Sequence, residues 1–296
     1  MTSRAHPQRV TRGVVLLLVA FTVSASATAA TNAASPPVQL RTLRFVDRSR
    51  RAQFRDGTFG PRVLVTEVRY PRLGHAPFPL IVFAHGFAET PDVYGRMLDT
   101  WARAGYMVAA PEFPVERPGA PGGPDRGDLN NEPGDLSFVI SRLTAPGSPL
   151  RTLVDSHRIA VAGQSDGAVA ALAVGYDRRY RDRRIDAAVV MSGAAPSGFT
   201  EPPLGSPPLL AVQGTQDPFN PPSTTAYYYR LMRRPKFLVW LLGAMHLEPY
   251  TTNDRWAPVV RRVTTAFLDH YLRGAPLRPL INAGTQSGVA RIASDP

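Results

Sequence analysis

In Gly163-Gln164-Ser165-Asp166-Gly167 a serine stands between two glycines, after the apolar run 159–162 (IAVA) and before small residues that continue to 174. A serine hydroxyl attacks a carbonyl efficiently only when a neighbouring base takes its proton and a third group orients that base. Flanking glycines let the backbone turn sharply and pack closely, the arrangement that lifts a nucleophile clear of a strand end. The chemistry on offer is acyl transfer through a covalent intermediate, with Ser165 as the attacking group.

Such a serine has to be held by a framework, and the chain supplies one. The runs 80–84 (LIVFA), 106–110 (YMVAA), 159–162, 187–191 (AAVVM), 209–212 (LLAV) and 237–241 (FLVWL) are short and continuously apolar, as strands covered on both faces are. The run 63–70 (VLVTEVRY) alternates like a half-buried strand. Helical patterns fall between them: one opened by Thr90-Pro91, then 135–143, the stretch after Ser165, 223–233 and 258–271. Strands alternating with helices predict an α/β fold with a doubly wound, mostly parallel sheet and helices on both faces. In such sheets chemistry gathers at the carboxyl ends of the strands, which sorts the candidates.

Of six histidines, His6 belongs to the N-terminal stretch, His75 and His157 precede strands, and His270 lies inside the last helical pattern. His85 follows a strand but stands in His85-Gly86-Phe87, beside the place an oxyanion loop would occupy. His246, just past the run 237–241, is the histidine placed to act as base. Among the acids Asp186 precedes a strand, whereas Asp217 follows 209–212; Glu112 and Asp254 are the runners-up.

The order Ser165, Asp217, His246 is that of the α/β-hydrolase fold. The segments IVFAHGFAETPDVYGRMLDTWARAGYMVAAPEFP, RIAVAGQSDGAVAALAV, LLAVQGTQDPFNPP and LLGAMHLEPY resemble that superfamily. More narrowly they resemble secreted bacterial esterases and lipases of the dienelactone-hydrolase, chlorophyllase and polyester-hydrolase neighbourhood. The resemblance spans about residues 60–273. It implies a serine carboxylester hydrolase, with the backbone N–H groups of Phe87 and Asp166 as oxyanion donors and no cofactor. Two residues depart from the pattern: Gln164 stands where lipases commonly have histidine, a change expected to bear little on mechanism, and Asp166 where a small or apolar residue is usual. Asp166 reads as a solvated rim acid that disfavours anionic substrates. Phe87, Tyr94, Phe113, Phe219 and the Pro/Gly-rich loop 111–133 are expected to wall the cleft, and the short segment 192–209 leaves no room for a large lid.

Residues 1–30 read as a cleaved export signal, with Arg4, Arg9 and Arg12 before an apolar core at 14–23 and small residues after it, so the protein is expected outside the cell. Residues 31–59 read as an irregular segment with a possible strand at Leu40–Val46, and 60–296 as the catalytic domain. With no cysteine, thiol nucleophiles, thiolate zinc sites and disulfides are excluded. No spacing of histidines or acids suggests a metal. The net charge is +11, but the densest basic cluster, 177–184, is interleaved with aspartates, which argues against a nucleic-acid partner. The expected partner is a small-molecule, lipid or polymer ester met by a monomer, without stable membrane insertion. A serine peptidase and a non-catalytic envelope-binding protein on the same fold are the alternative readings.

Overall fold

The structure is a computed structural model and describes residues 1–3 and 37–296. The export signal expected over 1–30 falls, apart from its first three residues, outside the described residues. The chain runs through β1 (Val38–Gln53), β2 (Phe59–Pro71), β3 (Phe78–Ala84), α1 (Gly95–Arg103), β4 (Met107–Glu112), α2 (Glu132–Thr144), β5 (Val154–Gln164) and α3 (Asp166–Tyr176). It continues through β6 (Ala187–Met191), β7 (Leu209–Gly214), α4 (Pro222–Leu231), β8 (Lys236–Leu241), α5 (Glu248–Thr251), α6 (Ala257–Arg273), α7 (Arg278–Ala283) and β9 (Ala290–Asp295). Among the described residues, nine strands join one sheet in the order β1-β2-β4-β3-β5-β6-β7-β8-β9. The interior from β4 to β8 is parallel, and β1, β2 and β9 pair antiparallel at the margins.

The apolar runs become central strands because both of their faces are covered. Leu80, Val82 and Ala84 of β3 join Val161 and Val190 under α2 and α3, where Leu136, Val139, Ile140 and Leu172 meet them. Ile81 and Phe83, one residue out of phase, join Ala160 and Val189 under α1 and α6, against Leu98, Trp101, Val263 and Phe267. Side chains alternate across a strand, so one apolar run feeds two cores. No helix forms between β6 and β7.

Of the segment 31–59, expected to be irregular but for a possible strand at 40–46, the described residues are for the most part β1, paired with β2 from Val38 to Gln53 through a register shift between Asp47 and Arg51. Beyond residue 46 its alternation is hidden because an inward position carries charge. Asp47 is buried and accepts from Arg50 Nε at 2.7 Å. Arg50 in turn reaches the Asn131 carbonyl at 2.9 Å and Asp135 at 2.8 Å. On β2, Arg62 is fully buried and donates to Asp128 (2.7 and 3.0 Å) and Asp135 (2.5 and 2.6 Å). Losing one partner of such a buried pair typically costs about 3–5 kcal/mol. This network fastens the start of α2, and the tight turn 126–131 before it, to the sheet.

Candidate active site

The chain leaves β5 at Gln164 and enters α3 at Asp166, so a single residue makes the whole turn. That residue, Ser165, takes φ 57° and ψ −122°, a conformation costing a non-glycine residue of order 1–3 kcal/mol. Its own N–H is secured by the Met191 carbonyl at 3.0 Å. Both flanking glycines are obligatory. A Cβ on Gly163 would lie 2.1 Å from the Gly167 carbonyl oxygen, and one on Gly167 would lie 2.2 Å from that of Ala84.

The structure brings Ser165, His246 and Asp217 together from three strand ends. His246, in the loop between β8 and α5, meets Ser165 Oγ through Nε2 at 2.8 Å and Asp217 Oδ2 through Nδ1 at 2.7 Å. A neutral imidazole protonated at Nδ1 satisfies both contacts, donating to the carboxylate and accepting from the hydroxyl. Asp217 Oδ1 also accepts the N–H groups of Phe219 and Asn220, each at 2.9 Å. Burial pushes the Asp217 carboxyl up, but the His246 hydrogen bond and these two amides outweigh it and hold it below the ordinary carboxylate range. The runners-up serve elsewhere: Glu112 pairs with Arg117 at 3.2 Å, and Asp254 accepts the first N–H groups of α6.

Gln164 has a larger part than the sequence suggested. Its amide donates to the His246 carbonyl at 3.0 Å, and its Oε1 accepts the Tyr94 hydroxyl at 2.7 Å. The Tyr94 oxygen in turn accepts the Gly86 N–H at 3.2 Å. One side chain thus ties the base loop to the loop after β3. His85, fully buried, donates from Nδ1 to the Gly86 carbonyl and accepts the Phe113 N–H at Nε2, both at 2.9 Å. Burial pushes this imidazole down to about 4, so His85 is a neutral brace for the loop. Among the described residues, the N–H groups of Phe87 and Asp166 have no acceptor within the protein, as oxyanion donors require.

Two of the expected cleft walls are core. Tyr94 and Phe113 are fully buried, Tyr94 against Phe83 and Phe113 against His85. An aromatic residue type fits core and cleft equally well, and here the helix and strand ends turned both inward. Phe87 and Phe219 do line the cavity of about 500 Å³ that opens over Ser165 and His246. Phe219, 75% exposed, stands against the His246 ring with centroids 5.2 Å apart.

The solvated acid expected at Asp166 is also corrected. Its carboxylate accepts Arg126 Nε at 2.6 Å, and the same guanidinium lies over the Phe87 ring, 4.6 Å from its centroid. Arg126 comes from the loop 111–133, forty residues away, which is why a local reading left Asp166 unpaired. The rim charge is therefore balanced. Arg126→Gln, which unbalances it, is expected to lower kcat/KM for a carboxylated ester relative to a neutral one by roughly threefold to tenfold, the scale of one partly solvated charge. Parallel assays of p-nitrophenyl succinate and butyrate read that ratio, and an unchanged ratio rejects the balance.

No family model matches this chain, and a search of curated proteins finds no match. Among solved structures it is similar to a ferulic acid esterase from Streptomyces cinnamoneus, with a TM-score of 0.67 and 25% sequence identity over 83% of this chain and 93% of that one.

Proposed function

We propose that this chain, an α/β hydrolase of the esterase type, is a serine carboxylester hydrolase that works through an acyl-enzyme on Ser165. The observation that carries the proposal is the continuous relay Ser165–His246–Asp217, with links of 2.8 and 2.7 Å at the base of an open cleft. His246 Nε2 takes the hydroxyl proton as Oγ attacks the ester carbonyl, and Asp217 stabilises the imidazolium that forms. The N–H groups of Phe87 and Asp166 receive the negative oxygen. His246 then gives its proton to the departing alcohol, and a water repeats the sequence against the acyl-enzyme. The aromatic rim, Phe87 and Phe219, supports esters of aromatic acids as a substrate class, in keeping with the name of the similar structure.

Ser165→Ala is expected to lower kcat on p-nitrophenyl butyrate and on a ferulic acid ester by about 10⁵-fold or more, leaving only what substrate binding and the oxyanion donors retain. Equal rates in the wild type and the variant sink the proposal.

A further inference from the structure

Behind the cleft lies a pair of acids that the mechanism above does not use. Glu116, in the loop after β4, and Glu132, the first residue of α2, are both completely buried. Their carboxyl groups are near enough for each to act on the ionisation of the other. All four oxygens lack a donor from any other group. A buried carboxylate without a donor is costly, and two together are more so, unless a proton lies between them.

The surroundings offer little other compensation. Asp128, Asp135 and Asp166 add negative charge from the 126–131 turn, from α2 and from α3. The guanidinium of Arg62 is taken up by Asp128 and Asp135. Arg126, a cation that acts on Glu116, is bonded to Asp166. Burial first, and the neighbouring acids after it, push both carboxyls above the ordinary range, so the pair keeps a proton where a solvated glutamate has lost it.

The pair is joined to the reaction through the backbone. The Glu116 carbonyl accepts the N–H of Ala88 at 3.0 Å. Ala88 holds φ 58° and directly follows Phe87, whose N–H is one of the two oxyanion donors in the mechanism above. Glu116 is thus tied to α2 by its side chain and to the oxyanion loop by its main chain.

We propose that one proton shared between Glu116 and Glu132 fixes the oxyanion loop, making both glutamates positioning residues for the Phe87 N–H. The proposal rests on the esterase reading. Because the folded pair holds its proton more tightly than a solvated carboxyl, the tie is intact at low pH and is lost as pH rises. The donor acts on the transition state, so the loss falls on kcat and leaves KM in place.

The test is the pH dependence of kcat and KM on p-nitrophenyl butyrate, from about pH 6 to about pH 10, with circular dichroism at each pH. Wild type is expected to lose kcat about tenfold or more on the alkaline side, with KM steady and the fold intact. Glu132→Gln, whose amide donates to Glu116 with no proton to lose, is expected to remove that alkaline decline. Glu132→Ala, which offers no donor, is expected to be depressed in kcat at every pH. Glu116→Gln, with the donor on the other side, should behave as Glu132→Gln does. Superimposable alkaline limbs in wild type and both glutamine variants overturn the proposal, as does an alkaline loss that follows unfolding, or failure of both glutamine variants to fold. If wild type and Ser165→Ala turn over the ester alike, the esterase reading itself fails, a separate result.

Discussion

Asp217→Asn is expected to lower kcat by about 10⁴-fold while leaving the fold in place. Asn keeps an oxygen for the N–H groups of Phe219 and Asn220, which Asp217 Oδ1 now holds at 2.9 Å. Its Nδ2 would replace Oδ2, which accepts from His246 Nδ1 at 2.7 Å and from Gln213 Nε2 at 3.2 Å. A donor there drives the imidazole proton to Nε2, and a protonated Nε2 cannot accept from Ser165. Steady-state kinetics with thermal melting separate this from misfolding. A fall of less than about tenfold with an unchanged melting temperature would show that Asp217 does not set the tautomer.

Gly167→Ala is expected to act on the fold itself. The new methyl group would meet two backbone oxygens, of Ala84 at 2.2 Å and of His85 at 2.4 Å, and backbone cannot swing aside as a side chain can. Overpacking of this kind costs about 3 kcal/mol or more, which lowers the melting temperature of a chain this size by roughly 6–12 °C. Gly147, where a Cβ has no neighbour within 4 Å, is the control, and Gly147→Ala should melt close to wild type. Coincident melting curves for the two variants would mean that the turn around Ser165 has slack.

The triad candidates could be read from the sequence because they obey a rule about strand ends. Ser165, Asp217 and His246 each follow a continuously apolar run, and such runs are recognisable wherever both faces of a strand are covered. The first strand was legible only in part, as a possible strand over 40–46: just beyond it Asp47 takes a buried position, and charge at a buried position erases the apolar alternation. The polar β9 and the short α7 went unseen on similar grounds. Tyr94 and Phe113 were placed in the cleft by residue type alone, and type does not say which way a side chain points. The partnership of Asp166 with Arg126 and the part played by Gln164 depend on distant segments meeting, so no local pattern announces them.

The shift in register near Asp47 turns a piece of edge strand into an anchor, because it sends Arg50 to the Asn131 carbonyl and Asp135 while Arg62 takes Asp128. The turn that presents Arg126 at the mouth of the cleft is consequently bolted to the outermost hairpin of the sheet. This wall of the cleft therefore shares its anchoring with the margin of the sheet.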